Sequence, residues 1–183
     1  MLQASGGMIV WKPEFLRKLR ELCDRHGLLL IADEVLTGFG RTGRMFACEH
    51  GPIEPDIACF SKGLTAGYLP MAVTAASESI YAAFLSDDRH KTFFHGHSFT
   101  ANPLGCAVAL EGLDIFAEEG VIERIGRLEA QVRETLLNYV GRPYVKDVRQ
   151  IGDVGIIELV EGEAGYLADI GPRLARAFLK RDL

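Results

Sequence analysis

The run Leu28-Leu29-Leu30-Ile31-Ala32-Asp33-Glu34 constrains this chain more than any other. Consecutive apolar residues without alternation, closed by Gly27 on one side and two acids on the other, predict a short strand buried on both faces. Strands of that kind belong to open α/β sheets, where ligands sit beyond the carboxyl ends. Asp33 and Glu34 stand at that end. A buried carboxylate without a partner is costly, so the pair needs a reason to be there. The plain alternative is a cap on the next turn or a surface ion pair.

The flanking residues extend the pattern. Pro13 suits the first turn of a helix, whose Leu16, Leu19, Leu22, Cys23 and His26 recur on one face, with Gly27 as C-cap. His26 in the last turn favours the helix dipole. A helix running into a buried strand is half of a βαβ repeat. Thr37 to Gly43 then form a glycine-rich loop that carries neither GxxxxGK[ST] nor GxGxxG, so nucleotide binding is not supported. Arg41 in this loop either binds a substrate acid or ties the loop down. Pro55 to Phe60 read as a second strand, followed at once by Ser61-Lys62-Gly63. Lys62 thus falls at a strand's carboxyl end, as Asp33 does, and both can line one crevice.

Met71 to Ala76 predict a strand, and Ser77 to Phe84 a short helix with Ile80, Tyr81 and Phe84 inward. Residues 87–91 form a charged turn. His95 and His97 lack the further ligands a metal needs, so residues 93–100 read as a polar loop offering hydroxyl and amide groups. Asn102-Pro103 starts a helix with Leu104, Ala107, Val108 and Phe116 on its inner face. Gly120 breaks the pattern. Val121 to Tyr139 form an amphipathic helix, Val145–Val148 and Val154–Val160 two strands that can pair, and Pro172 opens a last helix. The change from strand–helix alternation near Gly120 divides the chain into residues 1–119 and 120–183. No strand or turn is expected before the first helix, and both ends suggest a segment of a longer protein.

Composition excludes several classes. The chain has 183 residues, 48% hydrophobic and 25% charged, as in a soluble globular protein. A net charge of -5 with no basic cluster argues against nucleic acid. No apolar stretch approaches the roughly 18 residues of a membrane span, and no signal peptide opens the chain. Four widely spaced cysteines form no CxxC pair, which points to a reduced cytoplasmic protein.

The stretches Asp33-Glu34-Val35-Leu36-Thr37-Gly38-Phe39-Gly40-Arg41-Thr42-Gly43, Pro55-Asp56-Ile57, Ser61-Lys62-Gly63-Leu64-Thr65 and His95-Gly96-His97-Ser98-Phe99-Thr100-Ala101-Asn102-Pro103 together resemble the class III pyridoxal-phosphate aminotransferases. The likeness covers essentially all of residues 1–120. A finer likeness, in Phe46-Ala47-Cys48-Glu49-His50, Phe94-His95-Gly96-His97-Ser98 and Asp147-Val148-Arg149-Gln150, is to the branch that aminates 8-amino-7-oxononanoate in biotin synthesis. The amino donor of that branch is S-adenosylmethionine or, in a minority, lysine. Other class III ω-aminotransferases, an aminomutase and an inactive fragment are the competing readings.

The resemblance implies an α/β fold of type I. Residues 1–119 would be part of a large mixed-sheet αβα domain, and 120–183 the start of a small α+β domain. It implies pyridoxal 5'-phosphate as cofactor and a homodimer with sites between subunits, with no nucleic-acid or membrane partner. Lys62 would join the cofactor aldehyde, meet the substrate and shuttle a proton, work that only a neutral amine can do. Asp33 would pair with the pyridine nitrogen, and Val35 would pack on the ring face. His97 and Ser98 would lie at the phosphate bound by the other subunit, with Gly96 and Arg41 beside the substrate. Ser98 stands where the family usually has Thr, and Ala66 and Ala101 replace common glycines. The family's Ser-Gly phosphate cradle, ring-stacking aromatic and carboxylate-binding arginine have no counterpart in this chain.

Overall fold

The computed structural model describes residues 1–160 and 170–181. A two-stranded antiparallel hairpin, β1 (Leu2–Gln3) and β2 (Ile9–Val10), opens the chain, where no strand was expected. Strands of two residues are too short to leave a pattern in the sequence. Helix α1 (Pro13–His26) follows, with Pro13 in its first turn. Gly27 ends it at φ 62, its N–H donating to Asp24 O, while Leu28 N–H donates to Cys23 O. These two bonds satisfy carbonyls that the helix end leaves open, and a residue with no Cβ takes that conformation without strain.

The central sheet is mixed, in the order β3-β4-β5. Strand β3 (Ile31–Asp33) runs parallel to β4 (Ile57–Phe60), and β5 (Val73–Ala76) is antiparallel to β4. Arg20 of α1 fastens the helix to this sheet. Its guanidinium contacts Asp56 and Asp24 at 2.7 Å each, and Asp56 also accepts the Leu30 N–H at 2.7 Å. Those partners hold the Asp56 carboxyl below its ordinary range, with Arg20 the larger cause.

The remaining elements are α2 (Glu78–Ala82), α3 (Pro103–Glu118), α4 (Val121–Leu137), β6 (Val145–Ile151), β7 (Val154–Leu159) and α5 (Ile170–Leu179). Asn102 caps α3, its side chain accepting the Leu104 N–H at 2.9 Å, with Pro103 next. Gly120, at φ 56, separates α3 from α4. The two late strands pair as an antiparallel hairpin. Contacts cross position 120: α3 packs on α4, and the Arg149 side chain donates to the Gly7 and Met8 carbonyls.

Burial departs from the sequence pattern in three places. Leu28 and Leu29 are 59% and 61% exposed, and Ile31 is exposed too, so the strand expected to be buried on both faces is not. Tyr81 and Phe84 of the α2 region are exposed rather than inward, and Ile80 is half-buried. Leu104 and Ala107 are exposed, while Gly105 and Ala109 make the buried stripe of α3. The physical reason is common to all three. Apolar character states what a residue can bury, and burial also needs a second surface to pack against.

Candidate active site

Register brings the two predicted strand ends together. Asp33 lies opposite Cys59, and the ladder continues one step further as Glu34 N–H donates to Cys59 O at 2.9 Å. Asp33 and Lys62 therefore leave adjacent parallel strands at the same end. Both line one cleft of about 380 Å³, with Val35, Leu30, Ala32 and Cys48 in the same lining.

Lys62 begins a short turn, 62–65, at φ 38. A lysine in the left-handed region is uncommon, and such residues persist where the surroundings over-determine them. Here the Ser61 hydroxyl donates to Met71 O at 2.6 Å, and the Thr65 hydroxyl, on a fully buried side chain, donates to Leu69 O at 2.6 Å. Gly63 packs so closely that a Cβ would stand 2.9 Å from Phe39 Cβ. Phe39 in turn makes edge contacts with Phe46, Phe60 and Phe116. The turn that presents Lys62 is thus fixed from below by aromatic packing and from the side by hydroxyl bonds.

Among the described residues Lys62 makes no side-chain hydrogen bond or ion pair, and Asp33 only accepts the Val35 N–H at Oδ1, 3.1 Å. The two side chains line one cleft without pairing with each other. That donor set fits a ligand presenting a protonated ring nitrogen to the acid and a carbonyl carbon to the amine.

Glu34, which the sequence marks as one of two acids at the strand end without giving it a role, is the buried member of the pair. It is 2% exposed, and its carboxylate accepts from the Thr37 hydroxyl, from Ala47 N–H at 3.1 Å and from Cys48 N–H at 2.8 Å. Burial, then the adjacent Glu34 charge, push the Cys48 thiol up to about 11. Burial lowers His50, whose Nε2 lies 3.0 Å from Thr42 O and 3.1 Å from Thr42 Oγ1.

The other predicted site residues lie apart from the cleft. Arg41 is exposed and pairs with Asp153 at 2.7 Å, which ties the glycine-rich loop to the β6–β7 turn. Gly96, His97 and Ser98 belong to an exposed segment whose bonds are local: His97 N–H donates to Thr100 Oγ1, and His97 Nδ1 accepts the Phe99 N–H. None of these four lines the Asp33–Lys62 cleft. No group of three or more His, Cys, Asp or Glu side chains among the described residues is arranged to hold a metal.

A mixed sheet with helices around it, carrying an acid and a lysine on neighbouring parallel strand ends, is the arrangement of α/β fold-type I transferases, and the comparisons agree. Residues 1–177 match the class-III aminotransferase family, and the chain belongs to it. The adenosylmethionine-8-amino-7-oxononanoate aminotransferase of Geobacter sulfurreducens is 51% identical over 165 residues, covering 90% of this chain and 36% of that protein. That of Synechococcus elongatus is 43% identical over 184 residues, covering 100% and 43%. The crystal structure of the Methanocaldococcus jannaschii enzyme of the same name superposes with a TM-score of 0.87 at 37% identity, over 96% of this chain and 42% of that one. The (S)-enantioselective omega-transaminase of Thermomicrobium roseum superposes with a TM-score of 0.82 at 37% identity, over 87% and 35%. The chain thus spans 36% and 43% of the length of these two curated relatives. Class-III aminotransferases depend on pyridoxal phosphate.

Proposed function

We propose that this chain supplies the catalytic lysine and the ring-binding carboxylate of an aminotransferase that converts 8-amino-7-oxononanoate to 7,8-diaminononanoate in biotin synthesis. The amino donor is S-adenosylmethionine or lysine, and the cofactor is pyridoxal 5'-phosphate. The observation that carries this reading is Asp33 and Lys62, without an ion pair among the described residues, at adjacent strand ends in one cleft. The identity of the substrate rests on relatives of that name at 51% and 43% identity.

Pyridoxal phosphate, when bound, supplies a carbonyl that captures amino groups and a ring that takes up electrons. Lys62 Nζ would hold the cofactor and would carry a proton to and from the substrate carbon. Asp33 would accept from the protonated ring nitrogen in a charge-assisted hydrogen bond. Val35 would pack beside the ring and exclude water. His97 and Ser98 of a second copy reach the phosphate, and Gly96 leaves room for substrate, which makes the working unit a homodimer. Arg41 meets substrate only by leaving Asp153, whose side chain is 16% exposed.

Gly120 marks the step from the large domain, residues 1–119, to the small one. No helix among the described residues is long and apolar enough to cross a membrane. The cysteines are free, in keeping with cytoplasmic residence. A second reading is an ω-transaminase acting on another amine, whose fold in Thermomicrobium roseum superposes with a TM-score of 0.82, against 0.87 for the Methanocaldococcus jannaschii enzyme.

The test is a visible absorbance titration of the purified chain with pyridoxal phosphate, alongside Lys62→Ala. A band that borohydride fixes in the natural chain and that is absent in the variant is the expected result. A band of equal strength in both, or none in either, overturns the assignment of Lys62. With the site established, donor assays with S-adenosylmethionine, lysine and simple amines separate the two readings.

A further inference from the structure

We propose that Glu34 is the positioning residue for Asp33, a role that rests on the cofactor site assigned above. Glu34 follows Asp33 directly, and its backbone is held at both ends: its N–H donates to Cys59 O, and its C=O accepts the Gly38 N–H at 2.9 Å. Its side chain reaches across the loop to Thr37 and to the Ala47 and Cys48 amides, the first amides of a short turn spanning Ala47–His50. The segment from Asp33 to Gly38 is therefore clamped between β4 on one side and the 47–50 turn on the other.

The clamp matters because of what lies inside it. Val35 N–H is the donor that fixes Asp33 Oδ1. The Val35 amide belongs to the peptide that Glu34 itself forms. Turning that peptide would turn the Asp33 carboxylate and move Val35 within the same cleft lining. Packing alone would accept an apolar residue at position 34. A carboxylate taken almost wholly from water and held by three neutral donors is costly to arrange, and buried networks of that kind rigidify what they hold. No Lys or Arg side chain pairs with it among the described residues. The Glu34 carboxylate takes its hydrogen bonds from the loop that it fixes, and the Met1 ammonium acts on it through its charge without forming an ion pair.

A double-mutant cycle tests this, with the dissociation constant for pyridoxal phosphate as readout. Glu34→Gln keeps the shape but offers one carbonyl oxygen where there were two acceptors. It should weaken cofactor binding about tenfold in the natural chain and less than about twofold in the Asp33→Asn background, because coupled residues are not additive. The pH midpoint of the visible band should move in the same direction in Glu34→Gln as in Asp33→Asn. An equal loss of affinity in both backgrounds overturns the proposal. So does a midpoint that stays put, as it should in Leu136→Ala, which weakens the buried face of α4 outside the lining of the Asp33–Lys62 cleft. If Glu34→Gln does not fold, Thr37→Val removes one donor and takes its place in the cycle. A natural chain showing no Lys62-dependent band overturns the cofactor assignment and this role with it. An additive cycle on a chain that binds overturns this role alone.

Discussion

The loop of residues 34–50 and the segment of residues 81–102 both carry family motifs, and they are built in opposite ways. In the first, Glu34, Thr37 and Thr42 are buried, and Arg41 and His50 are anchored by partners eight or more positions away. In the second, every residue is exposed, Phe94 at 82%, and the hydrogen bonds span two to four positions. Its aromatic contacts, Phe84 with Phe93 and Phe93 with His95, are equally internal. Short-range bonds give a segment its shape, whereas distant partners fix it in the molecule. Asp33 and Lys62, on β3 and after β4, are held by the first kind of structure. Gly96, His97 and Ser98 lie in the second, exposed and bonded to near neighbours.

Gly152 offers the hardest test of the first half. It sits in the β6–β7 turn at φ 54, and a Cβ there would come within 2.5 Å of Arg41 O and Gly43 N. Backbone cannot yield as a side chain does. Gly152→Ala should lower stability by about 3 kcal/mol, combining overpacking with a left-handed alanine. Urea unfolding measures it. A loss below about 1 kcal/mol would show that the turn and the glycine-rich loop are not locked together.

His50 gives a smaller and pH-dependent effect in the same loop. Burial holds its pKa below the ordinary value of 6.5, so the unfolded chain binds a proton more readily than the folded one. Its contribution is therefore full above pH 6.5 and is lost as pH falls through the lower folded value. The unfolding midpoint should drop between pH 7.5 and 5.5, and less steeply in His50→Asn. Equal slopes would show that Thr42 holds the protonated ring as well as the neutral one.

How much of this was legible in the sequence depended on where each residue finds its partners. Pro13 with Gly27, and Asn102 with Pro103, act on their own neighbours, and the helices begin and end with them. The adjacency of Asp33 and Lys62 also followed, because an unbroken apolar run and a second strand leave few parallel arrangements. The role of Glu34 did not: the sequence shows that a buried acid there needs a partner, but the Ala47 and Cys48 amides that supply it lie thirteen and fourteen positions on. Leu28, Leu29, Leu104 and Tyr81 misled in the other direction, since their apolar character says nothing of what covers them.

Two alanines sharpen the comparison at the smallest scale. Ala66 and Ala101 adopt φ 50 and 53, where the family commonly has glycine. A left-handed alanine costs about 1–2 kcal/mol, and glycine gives back about 0.4–1 kcal/mol through the freer unfolded chain. Ala66 follows the buried Thr65, and its N–H donates to Gly63 O at 3.1 Å, so its conformation is imposed by the turn that presents Lys62. Ala66→Gly should therefore raise stability by about 0.5–1 kcal/mol in urea unfolding. Ala101 is imposed on only by its own exposed segment, which can relax around it. Ala101→Gly should change stability by less than about 0.5 kcal/mol in the isolated chain. A gain at position 101 equal to that at 66 would mean that the exposed segment is held as firmly as the clamped loop, and that its geometry owes nothing to a second copy.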